Sequence, residues 1–504
     1  MSSPEPRSVK SRPSVPALGR RSALIIAAVA VLVVAAAAVA LSGGSDPTPP
    51  AAGATRLVPA DALVYVHLST DAGREGTAAA KRLAERFPGF EPARRSLVRR
   101  LSAPGCKVGA AALKGGREAA LALVDTGGGN AGSLVYVDTG NTTKAPERTC
   151  GTIQTAKFGR FLVIGQPQTI VLARQLAAGK GTPLSAAPDY RRELARLPAG
   201  RVADAWVSKA GVQRLLAPQG GLLGAAGTLL DQPGLKATAA ALISSKGGAR
   251  LVLRSLRDPK AAKVAASPFK PFKPSLQDKV PDSAFAFLGL SGLSGAAGRL
   301  LGLAGPQTAQ LAPMLARAGK DLNPLLALFS GEVAITISSD TPAPVLTLIT
   351  KAKDPAAARA TLARARRPLA RLLAPGSGVA PAWRPVGGGF QLRPTAGVEL
   401  DYAVVDDLIV VSTRTAGIAA VRDRKRTLPE TDSWRRTVVN PQKPVSSLVF
   451  LDFNQLLRLG EQTGLNDSKA YLAVKDDLQK LKSVSARSSS DGDESTVELF
   501  LSVP

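Results

Sequence analysis

The chain has 504 residues, of which 45% are apolar and 20% are charged, a composition typical of a folded protein with two or three domains. This composition excludes a largely disordered chain, and the single histidine and two cysteines exclude a zinc site made of clustered ligands. Lysine and arginine number 65 against 38 aspartate and glutamate, so the formal net charge is +27. This charge would suit an acidic partner, either nucleic acid or an anionic membrane or wall surface; an unspecialised basic surface is the alternative.

The N-terminal region contains a predicted membrane anchor. Residues 23–41 form an uninterrupted apolar run (ALIIAAVAVLVVAAAAVAL), which at about 1.5 Å per residue just spans a hydrocarbon core about 30 Å thick. The basic residues of the tail, 1–22, precede the run, so the positive-inside rule keeps this tail in the cytoplasm. Residues 42–55 predict a flexible linker. We expect a single-pass protein of the cell membrane with an extracytoplasmic C-terminal part; a cleaved signal peptide is the alternative.

Segments of similar sequence recur in the same order along the exported part. VPADALVYVHLS, beginning at Val58, resembles VPDSAFAFLGLS, beginning at Val280, and four further pairs follow it. Five matches in one order indicate an internal duplication. The predicted divisions are repeat one at 56–256, a proline-rich connector at 257–275 and repeat two at 276–504.

Each repeat opens with a predicted strand of alternating apolar residues, Ala62–Leu68 and Ala284–Leu290. In the second copy Asp354, followed by proline, predicts the start of a helix. Both copies close with a predicted hairpin, turning at 246–248 and at 491–493. Strands interrupted by helices, with many hairpins, predict an α+β fold: one N-terminal transmembrane helix followed by two tandem homologous repeats with mainly antiparallel sheets.

Three motifs resemble those of one known family. They are VPADALVYVHL from Val58, KDPAAARATL from Lys353 and VSARSSSDGDESTVELFLS from Val484. This set resembles the bacterial domain-of-unknown-function family numbered 3352, whose members are exported proteins. The resemblance covers most of residues 55–504 and implies a duplicated α+β architecture. It implies no activity, because that family has none established.

The sequence contains no convincing catalytic set or cofactor motif. His67 corresponds to Gly289 in the second copy, so a Ser-His-Asp triad would depend on a histidine that the other repeat does not have. We therefore interpret His67 as a residue at the rim of a sheet. Gly127–Gly132 (GGGNAG) fits a dinucleotide fingerprint, but a strand and not a helix follows it, which favours a hairpin loop. Adjacent Asp406 and Asp407 indicate a turn. We expect no enzymatic activity, no cofactor and no metal.

Two groups of residues are candidates for a structural or binding role. Cys106 and Cys150 form an isolated pair in an oxidising compartment, which predicts a disulfide. Two arginine-rich segments predict helices whose leucines face inward and whose arginines face solvent. These arginines either contact anionic headgroups or are simply solvated. The candidates for contact with an anionic surface are Arg94, Arg95, Arg99, Arg100, Arg364, Arg366 and Arg367.

Together these features predict a non-enzymatic binding or scaffold module of the cell envelope. Export argues against nucleic acid, so the expected partners are the membrane itself and anionic lipid or cell-wall polymer. The alternative is a carrier of a lipid or another hydrophobic ligand, because Leu215–Leu230 and Ser291–Gly305 combine small residues with leucines that would suit such a groove. A hydrolase of envelope material that uses paired carboxylates is the remaining alternative.

Overall fold

The structure is a computed structural model of the chain. It describes residues 48–92, 95, 116–140, 147–216, 234–245, 247–264, 270–293, 323–339, 343–372, 382–386, 389–395, 398–439 and 443–503. The predicted anchor at 23–41 lies outside these residues. Within the described part of the chain, no helix is both long enough and apolar enough to cross a membrane.

The described chain forms one antiparallel sheet of 19 strands. The strands of the first half are β1 (Val64–Ser69), β2 (Glu118–Gly127), β3 (Asn130–Asp138), β4 (Arg148–Cys150), β5 (Ile153–Phe158), β6 (Phe161–Gly165), β7 (Arg201–Ser208), β8 (Leu235–Ser245) and β9 (Gly248–Arg257). The strands of the second half are β10 (Ala284–Ser291), β11 (Glu332–Ser338), β12 (Val345–Lys351), β13 (Arg384–Val386), β14 (Gly389–Thr395), β15 (Val398–Val405), β16 (Leu408–Ser412), β17 (Ser447–Asp452), β18 (Ser483–Asp491) and β19 (Glu494–Ser502).

Helices are short apart from one. The α-helices are α1 (Glu75–Ala84), α2 (Pro167–Ala177), α3 (Pro188–Ala195), α4 (Lys209–Gly211), α5 (Pro259–Val264), α6 (Pro355–Leu372), α7 (Thr415–Arg422), α8 (Asp432–Thr437), α9 (Phe453–Gln462), α10 (Lys469–Leu472) and α11 (Lys475–Leu478). The 3-10 helices are η1 (Gly53–Leu57), η2 (Leu184–Ala186), η3 (Leu276–Lys279), η4 (Leu428–Glu430) and η5 (Leu465–Asp467), and one π-helical turn spans Val212–Leu216.

The α+β fold class predicted from the sequence is wrong, since the structure is mostly sheet with few helices. The two halves do not form separate sheets, because their last strands, β9 and β19, pair in antiparallel register from Gly248 opposite Ser502 to Leu256 opposite Glu494. A terminal strand presents unpaired backbone N–H and C=O groups along its edge, and this pairing satisfies them. One continuous sheet is the result.

The order of strands in the second half mirrors the order in the first. Across the sheet the strands follow the order β4, β5, β6, β3, β2, β1, β7, β8, β9, β19, β18, β17, β10, β11, β12, β16, β15, β14, β13. Strand β1 lies between β2 and β7, and β10 lies in the same way between β11 and β17. Each element near β1 therefore has a counterpart near β10.

Side chains alternate between two faces of the sheet. The front face carries Tyr65 in β1 and Phe287 in β10, and it is covered by α2 and α3 in the first half and by α7 and α8 in the second. The back face carries Val66 and Leu288. It is covered by α1, which packs on Leu68, and by α6 at the far end of the sheet.

The front core of each half is built around three aromatic rings. In the first half the ring of Tyr190 in α3 lies 6.2 Å from Tyr65 and 5.6 Å from Trp206, in edge-on contact with both. The corresponding rings in the second half are Trp434, Phe287 and Phe450. The same packing scheme therefore serves both halves with different side chains.

Candidate functional site

The back face carries a continuous band of aliphatic side chains, which we call the apolar strip. It consists of two rows that cross seven neighbouring strands, from β9 to β12. Row one is Leu251, Leu499, Ala486, Val449, Leu288, Ile335 and Leu348, each directly opposite the next. Row two is Ala249, Leu501, Val484, Leu451, Ala286, Ile337 and Leu346, in the same arrangement. The strip contains no polar, charged or aromatic side chain.

The apolar strip is partly open to solvent. All of its residues except Ala249 retain some exposed surface, and Leu346 is 44% exposed. The solvent-facing side of an antiparallel sheet normally carries polar residues, so an uninterrupted aliphatic band there is unusual. Every described residue of β19 from Glu494 to Leu501 is only partly buried. The junction between the two halves is therefore only partly covered.

Two helices bound the strip at its ends, and a third, α9, contacts β10, β17 and β18 between them. At one end Ala80 and Leu83 of α1 pack in the same cluster as Leu251 and Leu501. At the other end α6 packs through Ala358 and Leu362, in a cluster that includes the row-one residues Leu288, Ile335 and Leu348. Seven strands about 4.8 Å apart give the strip a length of about 29 Å. This length is close to the thickness of the hydrocarbon core of a bilayer, about 30 Å.

Helix α6 carries three of the arginines that the sequence indicated for anionic contact. Arg364 and Arg367 are exposed. Arg366 instead turns toward the sheet, where its guanidinium carbon lies 3.3 Å from the centre of the Phe390 ring and its Nε donates to the hydroxyl of Tyr402. Because the side chain of Arg366 packs on the sheet while those of Arg364 and Arg367 are exposed, Arg366 has a packing role.

The other predicted site residues are mostly outside the described part of the chain. Arg95 is described and exposed. Cys150 ends β4, but its side chain is not described, so the predicted disulfide stays a prediction. The predicted residues that lie outside the described ranges are Arg94, Arg99, Arg100 and Cys106.

A second feature, which the sequence analysis missed, is a buried cluster of ionisable side chains in the first half. His67 Nδ1 lies 3.2 Å from Asp204 Oδ1, and Arg201 Nε donates to the same oxygen at 2.9 Å. His67 Nε2 lies 3.7 Å from Glu118 Oε2. Glu118 in turn accepts hydrogen bonds from the backbone N–H groups of Gly53 and Ala54, at 2.9 and 2.7 Å. The cluster therefore joins β1, β2 and β7 to η1.

The prediction that His67 lies at a sheet rim is wrong. Its strand, β1, is paired on both sides, and the side chain is 0% exposed. Burial lowers the pKa of His67, but the charge and hydrogen bond of Asp204, helped by the charge of Glu118, outweigh it, so the pKa lies above its ordinary value. Burial raises the pKa of Asp204, yet His67 and Arg201 outweigh burial and the net shift is downward. The charges and hydrogen bonds around the pair therefore favour its ionised form over burial.

Burial dominates at Glu118, whose pKa is raised in spite of His67 and the two backbone donors. The second half lacks most of this cluster: Gly289 stands where His67 does, and Leu448 stands opposite it in place of Asp204. Only the acid remains, as Glu332, which accepts from the backbone N–H groups of Ser275 and Leu276. The fold therefore forms without the histidine, and a group with no exposed surface cannot touch a substrate.

The signal for this cluster was present in the sequence. Asp204 interrupts the apolar stretch ADAWV of β7, and His67 interrupts VYVHL of β1. Two ionisable residues inside apolar strands are rarely buried unless they are paired with one another. Pairing β1 with β7 would have brought these two residues together.

Comparisons with known proteins give little guidance. No protein-family model and no curated protein matches the chain. The solved structure titled "Structure of crystal form I of TP0453" is similar over 43% of this chain and 80% of that chain, with 10% sequence identity and a TM-score of 0.24. A TM-score of this size carries no argument about fold or function. The resemblance to family 3352 stays a prediction.

Proposed function

We propose that this chain is a non-enzymatic binding protein of the cell envelope, anchored in the membrane by residues 23–41, and that it holds the hydrocarbon chain of a lipid on the apolar strip. The observation that supports the proposal is the strip itself, with fourteen aliphatic side chains in two uninterrupted rows. Thirteen of these side chains keep part of their surface exposed. Contiguous apolar surface left exposed on a soluble protein marks a site of interaction.

The composition of the strip favours a lipid chain over other apolar ligands. Ring-shaped ligands usually bind among aromatic side chains with a few polar groups that fix their orientation. The strip has neither, and its long, narrow outline follows two rows of residues about 7 Å apart along the strands. Covering partly exposed aliphatic surface stabilises the bound state by about 25 cal/mol per Å² removed from water. A flexible hydrocarbon chain lying along the rows gains this energy without needing a polar partner.

The predicted anchor supports the same function, because it keeps the sheet close to a source of lipid. A short stretch of chain connects Leu41, the end of the predicted membrane segment, to Gly53, where η1 begins. Fully extended, that stretch reaches at most about 40 Å. The start of η1 therefore stays within about 40 Å of the bilayer surface.

Native mass spectrometry of residues 44–504, secreted from an exporting host, tests the proposal. The described sheet and its cores begin after residue 50, so this fragment retains them. We expect extra mass that is lost on denaturation and corresponds to a lipid. Replacing Val449→Asn and Leu499→Asn together places two polar groups in row one and should reduce the bound fraction at least tenfold.

The control is Thr496→Asn, on the same strand as Leu499 but on the front face. It should leave the bound mass unchanged. A protein that carries no ligand, or a row-one double variant that binds as much as the control, would contradict the proposal. Amide exchange in β10 and β11 checks that each variant is folded.

A further inference from the structure

The outer surface of α6 has an unusual composition. The helix contains five arginines and no aspartate or glutamate. Its inward positions pack on β15 and β16. The residues that it exposes to solvent near its first three turns are only alanine and arginine: Ala356, Ala357, Arg359, Ala360, Ala363, Arg364 and Arg367.

We propose that this outer surface of α6 docks on the anionic headgroups of a lipid bilayer. Small alanine side chains let the helix approach the surface closely, and the arginine guanidinium groups match phosphate oxygens in a planar, two-pronged geometry. Arginines near an anionic membrane are each attracted strongly enough for three of them to hold a tethered domain against it.

Several exposed arginines on the front-face helices pair with acids. On the front-face helices Arg192 lies 2.7 Å from Glu494, Arg422 lies 2.9 Å from Asp423, and Arg435 lies 2.6 Å from Asp432. Among the ion pairs of the described residues, none involves Arg359, Arg364 or Arg367. The positive charge of α6 is therefore available to an external anion, whereas Arg192, Arg422 and Arg435 are each paired with an acid within the protein.

The position of α6 gives docking a direction. The helix lies on the back face, the same side as the apolar strip. When α6 rests on headgroups, this side of the sheet turns toward the bilayer and the front face turns away. The proposal does not depend on the lipid-carrying function, since a chain that carries nothing would still dock; if both hold, docking presents the strip to the membrane.

The test uses the full chain in nanodiscs of phosphatidylcholine, with or without phosphatidylglycerol. Arginine-selective labelling with phenylglyoxal, read by mass spectrometry, reports on each side chain in the same molecule. We expect the α6 arginines to react about fivefold more slowly in the anionic discs, since one such contact is worth about that factor. Arg422 and Arg435 on the front face are the internal references and should react equally in both.

A variant separates this proposal from the lipid-carrying function. Arg364→Glu with Arg367→Glu should restore labelling of Arg359 in anionic discs to the rate seen in neutral ones, and should leave any bound lipid mass unchanged. The Leu499→Asn variant should keep the protection of α6. Equal labelling of Arg359 in the two kinds of disc, or protection that survives the double variant, would overturn the proposal.

Discussion

Replacing Asp204 by asparagine should destabilise the centre of the first half, and the loss should depend on pH. Asp204 is 3% exposed and is the common acceptor of His67 and Arg201. The substitution keeps the size of the side chain and removes its charge. Two buried cations then lose their nearest counter-charge, while Glu118 Oε2 lies farther away, at 3.7 Å from His67.

The loss of stability depends on which charged side chains Asp204→Asn leaves without a counter-charge. Removing one partner of a buried ion pair costs about 3–5 kcal/mol, because the remaining charge is neither solvated nor neutralised. The pKa of His67 is raised in the folded state, so its pairing with Asp204 contributes fully below the ordinary value of about 6.5 and is lost as pH rises through the folded-state value. Above that value only the Arg201 contact is lost, which is worth about 1.5–3 kcal/mol.

Amide exchange in the peptides of β1 and β7 measures this loss locally, which avoids assuming that a chain of this size unfolds in one step. The control is Leu448→Ala at the corresponding position of the second half. It should cost about 2–5 kcal/mol by leaving a cavity, with no dependence on pH. A loss for Asp204→Asn that is the same at pH 6 and pH 9, or smaller than about 1 kcal/mol, would refute the assignment of an ionised pair.

Four further substitutions and one control have defined outcomes. Glu118→Gln and Glu332→Gln should each release the 3-10 helix that the acid holds, raising amide exchange at Ala54 or Leu276 by about tenfold or more, since hydrogen bonds to a charged acceptor are worth about 1.5–3 kcal/mol. Gly211→Ala should lower the midpoint of thermal unfolding, because the added Cβ would lie 2.0 Å from the backbone oxygen of Leu63. Overpacking of this kind costs about 1–3 kcal/mol. The control is Gly331→Ala, where the added Cβ would meet open space and the midpoint should not change. Arg366→Ala should lower the urea midpoint through the lost contact with Phe390.

Much of the local structure could be predicted from the sequence. The expected opening strands at 62–68 and 284–290 correspond to β1 and β10. The closing hairpins turn at Gly247 and Gly492, which adopt positive φ of 77° and 56°. Tight turns of this kind need a residue that tolerates positive φ, and glycine is the residue that does so without strain. Turn chemistry and alternation are local properties, so a single sequence reveals them.

Local patterns also located the loops correctly. The GGGNAG segment is the turn between β2 and β3, and the Asp406–Asp407 pair is the turn between β15 and β16. Asp354 begins α6 as predicted, accepting from the backbone N–H groups of Ala356 and Ala357 at 2.8 and 3.0 Å. These confirmed predictions share one cause, which is that each depends on residues a few positions apart.

The joining of the halves could not be predicted in this way. Strands β9 and β19 pair through backbone groups, which every residue carries. The only trace in the sequence is a partly apolar alternation in ARLVLRSL of β9 and VELFLS of β19, and this does not identify the partner strand. The apolar strip has the same origin, since its rows combine single residues from seven strands distant in sequence. The cluster around His67 depends on the register of β1 against β7. Long-range register is a property of the whole sheet.

Photo-crosslinking directly tests whether a lipid chain lies on the apolar strip. Membranes that contain the full chain are loaded with a phospholipid whose acyl chain carries a diazirine and are then irradiated. The adducts on the protein are mapped by peptide sequencing. We expect adducts on the back-face residues of the apolar strip, with Leu499 and Val449 prominent, and none on front-face Thr496. Adducts confined to the predicted anchor at 23–41, or spread equally over both faces of β19, would contradict this expectation.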